Sequence, residues 1–241
     1  MTAPPETTKD RLVAAAERLF AEHGIDGVSL REITRASGAR NAVALQYHFD
    51  DRAGVVAAIL AKHRPDLEAR RHALLDQIDA DGGGDRRALA GALVRPEAAK
   101  LADPDGGPEY LRIYAELVNR PRPPFDPEVH GGLGSSITRW RSAVEPFLEP
   151  GAVRLNRRFT AIRFTAAELG RRAASGPHTD DRLFVSHLVD LVSAVLAAPV
   201  SAETLRLADY GYVIETGRIA LEGPSKDLER NEHVKKAYLG G

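Results

Sequence analysis

The sequence predicts an all-α protein that carries one short mixed appendage at its C-terminus. Three observations predict it. Apolar residues recur at helical spacing from Leu12 to Val195. Cap signals stand where several of those runs begin. Strand-like alternation occurs only after Val200, where Gly211-Tyr-Val-Ile-Glu and Arg218-Ile-Ala-Leu-Glu flank Thr216-Gly217 as in a hairpin.

The elements follow in order. A first helix runs from Thr7 to His23, with Leu12, Ala15, Ala16, Leu19 and Phe20 on one face and Gly24 as its stop. Ser29-Leu-Arg-Glu32 is a capping box: the Ser29 hydroxyl caps a backbone N–H and Glu32 reaches back. Ile33 and Ala36 continue that short helix, and Ser37-Gly38-Ala39 turns it. Asn41 caps a third helix, with Leu45 and Phe49 four apart on one face. Asp50 and Asp51 cap a long helix through Val55, Val56, Ile59 and Leu60. Pro65 kinks that helix rather than ending it, because Leu67, Leu74, Leu75 and Ile78 resume the pattern.

After a glycine-rich break at 81–85, helices follow over 86–101 and 109–119. Pro121, Pro123 and Pro124 make a stiff connector, and Asp126-Pro127-Glu128 starts another helix. That helix holds Gly131, Gly132 and Gly134 and resumes through Trp140, Val144 and Phe147. Two long helices, 153–174 and 180–198, close the helical part. In the tail, Gly223-Pro224 ends the hairpin and a charged helix covers 225–239. The predicted domains are a head over 1–50, a helical domain over 51–202 and an appendage over 203–241.

Composition narrows the function. Of 241 residues, 43% are hydrophobic and 28% charged, which suits a folded globular chain. Thirty-three basic residues against 34 acidic ones give a net charge of −1, so any nucleic-acid contact needs a local patch. The absence of cysteine excludes disulfides, thiolate metal sites and cysteine nucleophiles. The apolar stretch from Leu188 to Val200 is too short to span a bilayer and holds Asp190, and the first residues lack an apolar signal core. The expectation is a cytoplasmic protein with no membrane partner. From Arg206 onward arginine and lysine are equal at three each, against 24 and three before it, so the tail differs in composition.

Three short helices with a glycine-containing turn between the second and third describe a helix-turn-helix. The segment from Val28 to Phe49, with the first helix ending in Leu19-Phe20, Gly24, the Ser29 cap, Ile33, Gly38 and the Leu45/His48-Phe49 ending, resembles the DNA-binding domain of the TetR family of bacterial transcriptional regulators. The resemblance is strong over residues 7–62 and continues more weakly to about 200. It implies a dimeric regulator, a repressor by preference, that binds double-stranded palindromic operator DNA and is released by a small-molecule effector. The long helix from Asp51 to Ile78 would couple the two events.

The third helix departs from the family pattern. Arg40 is an extra residue, Asn41 takes the usual capping serine's place, and Gln46 stands for the usual first tyrosine. The candidate DNA-binding set is Ser29, Arg31, Arg40, Asn41, Ala42, Val43, Gln46, Tyr47 and Arg52. Ala42 and Val43 suit thymine methyls, and Gln46 suits adenine N6 and N7. Tyr47, Arg40, Arg52 and the helix start at Ser29 suit phosphates. From Val28 to Phe49 three arginines oppose one glutamate, a local +2.

The resemblance places an effector pocket among the middle helices, where Tyr110, Tyr114, Glu116, Asn119, Arg139, Trp140 and Arg163 are the candidate ligand-binding residues. An aromatic stripe of this kind is also what a packed core looks like, and Arg163, if buried, needs an anionic partner such as a ligand, Glu116 or Glu168. The candidate dimerisation residues on the last two long helices are Phe159, Ile162, Phe184, Leu188, Leu191 and Val195.

The tail, from Leu207 to Leu228 and again from Val234, resembles the C-terminus of a branched-chain amino-acid ABC-transporter ATP-binding subunit. ATP hydrolysis does not follow, because the nearest glycine-rich stretch, 131–136, lacks the lysine of a phosphate loop. No GxSxG or HExxH occurs either. The protein is therefore expected to be no enzyme and to need no cofactor or metal. Two alternatives remain at this level: a helical interaction protein whose head no longer binds DNA, and an accessory protein related to a transporter.

Overall fold

The computed structural model of the chain describes residues 7–39, 47–120, 135–199, 210–215, 218–224 and 227. It divides into two compact units, Met1–Ala197 and Ala198–Gly241. The first unit holds, among the described residues, helices α1 (Thr8–His23), α2 (Leu30–Ala36), α3 (Arg52–Ala80), α4 (Arg86–Ala98), α5 (Gly107–Val118), α6 (Ser136–Val144), α7 (Pro150–Arg154), α8 (Arg157–Ala174) and α9 (Asp181–Ala197). The second holds an antiparallel hairpin, β1 (Tyr210–Glu215) and β2 (Arg218–Pro224), with an irregularity between Val213 and Ile214.

Local chemistry sets the helix starts. Thr7 and Asp10 form a capping box on α1, and Ser29 and Glu32 form the expected one on α2. Asp51, not Asp50, caps α3 by accepting from the Gly54 N–H at 2.9 Å. Gly24 ends α1 at φ 78°, a conformation open to glycine. As expected, α3 runs through Pro65 without ending.

Two expected helices are broken. The one predicted over 153–174 is α7 and α8, separated at Asn156, which sits at φ 51° in the left-handed region that asparagine tolerates. The one predicted to run through the glycines to Phe147 is not continuous at Ser135: this residue is extended and caps α6 through the Thr138 N–H. That helix also ends early, at Val144, and 145–147 form a 3₁₀ turn that includes Pro146. The expected starts at Asn41 and Asp126, the glycines at 131–134, the Thr216-Gly217 turn and nearly all of the tail helix lie outside the described residues.

In the head, α1 packs on α2, and Leu12, Phe20, Ile25, Ile33 and Phe49 are buried. α3 leaves the head and packs on α4 and α6. α5 is central: it packs on α1 in the head and most extensively on α8. A Cβ on Gly170 of α8 would lie 2.5 Å from that of Ala115 on α5, so only glycine permits this close crossing. Trp140 is wholly buried, and its indole N–H donates to the Leu89 carbonyl at 2.8 Å. No described helix is long and apolar enough to cross a membrane.

Candidate functional site

The head presents cations on its surface. Arg31 and Arg35 on α2 are exposed and make no hydrogen bond or ion pair among the described residues. Tyr47 is 84% exposed, its ring edge-on to His48 at 5.1 Å, while Phe49 behind it is buried. Arg40, Asn41, Ala42, Val43 and Gln46 lie outside the described residues.

Two expected phosphate contacts are otherwise engaged. The Ser29 hydroxyl donates to Glu32 Oε2 at 2.7 Å, and the Ser29 N–H donates to the same oxygen. These bonds hold the Glu32 carboxyl below its usual range and put a negative charge at that helix start. Arg52 is part-exposed but engaged within the head: its Nη2 donates to the Val28 carbonyl at 2.8 Å, strapping α3 to the segment before α2. Its Nη1 lies 3.8 Å from Asp26.

The seven expected ligand-binding residues do not form one cluster. Arg139 is held between Asp76 and Asp79 at 2.6 Å each, an ion-paired bridge between α6 and α3. Trp140 is a core anchor. Arg163 is exposed, and its partner is Asn119, at 3.1 Å, rather than a glutamate. Glu116 serves the head: its Oε2 accepts from the Ile25 N–H at 3.1 Å. Its Oε1 accepts from Arg120, which also reaches Asp26 at 2.8 Å.

Tyr110 and Tyr114 remain. Their rings stack on α5 with centroids 5.6 Å apart, and His63 of α3 lies 4.6 Å from the Tyr110 ring. They adjoin a buried polar cluster that the sequence reading missed. Glu17 of α1 is 1% exposed and accepts from Lys62 at 2.8 Å, while its other oxygen meets His63 at 2.9 Å. Lys62 also pairs with Asp105. Burial works against its ammonium charge, but bonds to Asp105 and Glu17 outweigh that and raise its pKa.

Arg71 of α3 and Glu97 of α4 form a second buried pair, Nη2 to Oε1 at 2.9 Å, and Arg71 Nη1 donates to Ser136 on α6. The Ser136 N–H donates to Glu68 at 2.6 Å. Burial pushes the Glu97 carboxyl up, with Arg71 opposing it. Burial, reinforced by the Glu97 charge, pushes both phenols up, so Tyr110 and Tyr114 stay neutral at any ordinary pH. A sequence signal for this cluster did exist. Ile59, His63, Leu67, Arg71 and Leu75 step by four along α3, so His63 and Arg71 fall on its apolar face, as Glu97 does after Leu89 and Leu93 on α4.

The last two long helices carry apolar residues at their surface. Leu183 is 71% exposed and Leu191 37%, and Phe159, Ile162, Phe184 and Val195 are half-buried. Leu188 is 1% exposed and belongs to the protomer's own core. Among the described residues no group of three His, Cys, Asp or Glu side chains has the arrangement of a metal site.

This architecture, an N-terminal helix-turn-helix head on a helical domain, is the fold of TetR-type transcriptional regulators. Residues 12–59 match the sequence model described as bacterial regulatory proteins, tetR family. The chain is similar to the crystal structure of Mycobacterium smegmatis AmtR, with 19% identity, 84% of this chain and 93% of that one covered, and a TM-score of 0.51. A TetR-family regulator from Rhodococcus sp. superposes with a TM-score of 0.42 at 20% identity, covering 78% of this chain and 98% of its own. One from Streptomyces coelicolor A3 superposes with a TM-score of 0.42 at 17% identity, covering 81% and 99%. No curated protein sequence matches the chain.

Proposed function

We propose that the protein is a dimeric, ligand-responsive transcriptional regulator that binds a palindromic operator. The observation that carries this reading is the head: a box-capped α2 and a glycine turn, with Arg31, Arg35 and Tyr47 exposed, on a segment that matches a family of DNA-binding regulators. The segment expected as the third helix, with Ala42, Val43 and Gln46, enters the major groove and reads bases. Arg31, Arg40 and Tyr47 hold phosphates. The surface of α8 and α9 around Leu183 and Leu191 pairs two copies, so that two heads meet two half-sites.

Effector coupling runs through α5. This helix carries Tyr110 and Tyr114 at the buried polar cluster, and Glu116 at its contact with the head. A ligand that shifts α5 therefore moves the Ile25 loop directly. α3 shares the load through Lys62 and His63 on Glu17. Repression relieved by the effector is the sense of regulation this implies.

The test is a mobility-shift titration of the full chain against DNA selected from a random pool. A preferred palindrome is expected, with affinity falling by about 10³–10⁵ between about 50 and 200 mM salt for roughly six to ten phosphate contacts. A protein that shows no preferred sequence and no salt dependence would instead be a helical interaction protein.

A further inference from the structure

The Arg71–Glu97 pair is incomplete. Arg71 is 4% exposed and Glu97 6%, so both are buried. Arg71 Nη2 meets Glu97 Oε1, but Glu97 Oε2 and Arg71 Nε have no hydrogen-bond partner among the described residues. Buried polar atoms are nearly always satisfied, and an orphaned acceptor on a desolvated carboxylate is costly. The pair joins three elements: α3 through Arg71, α4 through Glu97, and the first residue of α6 through Ser136. Beside it stands the Tyr110–Tyr114 stack, close enough for the Glu97 charge to act on both phenols.

The two open positions define a ligand's chemistry. One needs a donor and the other an acceptor, and a hydroxyl group supplies both functions. The guanidinium and carboxylate cancel in charge, so a charged ligand would bring an uncompensated charge into the interior. The tyrosine rings offer a neutral aromatic face.

We infer that the Arg71–Glu97 pair is the polar end of a binding site for a small uncharged molecule that presents a hydroxyl to the pair and a flat apolar body to Tyr110 and Tyr114. This rests on the ligand-responsive reading above and names the effector's class. Arg163, for which the sequence leaves an acidic ligand, Glu116 or Glu168 as partner if it is buried, is at the surface and bonded to Asn119, so it takes no part in this site.

Four probes of similar size separate the possibilities: phenol, toluene, benzoate and benzylammonium. Each is titrated into the full chain, following melting temperature and the emission of Trp140, the single tryptophan, which lies one turn beyond Ser136 on α6. Phenol should bind saturably, and the other three at least tenfold more weakly. The double variant Arg71→Met with Glu97→Met exchanges the pair for apolar volume, a change that buried ion pairs often tolerate. It should stay folded and bind phenol no better than toluene.

Toluene matching phenol, an ionic probe binding more tightly, or an undiminished phenol preference in the double variant would overturn the inference. Absence of saturable binding by all four would overturn it too, leaving water as the occupant of the open positions. A mobility shift on the same preparation without any probe keeps the two readings apart. Operator binding with no phenol response sinks the ligand class alone, whereas loss of operator binding sinks the regulator reading.

Discussion

The Glu116 carboxylate, on α5 of the helical domain, accepts a hydrogen bond from the backbone N–H of Ile25 in the head, across 91 positions of sequence. The second oxygen takes Arg120, and Arg120 takes Asp26, so one side chain ties α5 to the loop between α1 and α2. A rigid link of this kind transmits a shift of α5 to the loop that precedes α2.

Glu116→Ala should therefore cost stability and uncouple the head. Loss of a part-buried bond to a charged acceptor is worth about 1–2 kcal/mol, read by urea denaturation. Glu116→Gln keeps an acceptor for Ile25 and should recover most of that. In mobility-shift assays the alanine variant should respond to effector far less than the wild type does. An unchanged response would put the coupling on α3 alone.

Arg31 and Arg52 should separate cleanly, although the sequence places both in the candidate DNA-binding set. Arg31 is exposed and unpartnered among the described residues, so Arg31→Ala should weaken DNA binding and lower the salt slope by about one. Its melting temperature should stay put. Arg52 bonds the Val28 carbonyl, so Arg52→Ala should lower stability by about 1 kcal/mol and weaken DNA binding only through a loosened head. Equal melting temperatures for the two variants would contradict the role of Arg52 within the head.

The helix starts and the head were legible in the sequence because their causes are local. A serine followed three residues on by glutamate closes its own box, and the Ser29–Glu32 bonds are those the spacing predicts. Helix breaks were less legible. Asn156 and Ser135 interrupt runs whose apolar spacing continues across them, and periodicity does not register a single left-handed or extended residue. The middle of the helical domain was least legible. That Trp140 meets the Leu89 carbonyl, or Arg71 meets Glu97, depends on how α3, α4 and α6 cross, and no spacing along the chain encodes it. What the chain did show was polar residues on apolar faces, at His63 and Arg71.

Acid should loosen the domain through Lys100. This lysine is 3% exposed and pairs with Asp66 and Asp103 at 2.9 Å each. The bonds to Lys100 hold both carboxyls below the usual 3.8. A depressed folded-state pKa contributes stability that is present above the unfolded value and lost as pH falls through the folded one. The loss should set in near about pH 4 and continue below it. Asp103→Asn should flatten that acid limb in thermal melts between pH 5 and 3. A variant as acid-sensitive as the wild type would assign the limb to other groups.

The dimer face makes a sharp demand on Leu183. It is 71% exposed on α9, on the side of the helix away from Leu188 and Val192, which are buried in the protomer. Leu183→Glu puts a charge where the second copy is proposed to pack, so sedimentation velocity should show monomer at micromolar concentration. Since the side chain is open in the protomer, the monomer's own fold should be kept, with circular dichroism unchanged. Leu188→Ala should do the reverse, costing about 2–5 kcal/mol of stability from a core cavity. A dimer that survives Leu183→Glu would move the interface off α9.

The tail should be dispensable for these activities. Ala198–Gly241 is a compact unit of its own, and within it the described strands pair only with each other. A two-stranded hairpin is marginal in water, so the segment contributes little independent stability. The residues proposed for DNA reading, coupling and dimerisation all precede Ala198. A chain ending at Ala202 should dimerise and bind operator with affinity within about twofold of the full chain, and its melting temperature should move by less than a few degrees. Neither form should hydrolyse ATP, because the sequence has no phosphate loop. If the shortened chain sediments as a monomer, the tail completes the interface and the α8–α9 surface is insufficient alone. If only the full chain hydrolyses ATP, the tail carries a second activity.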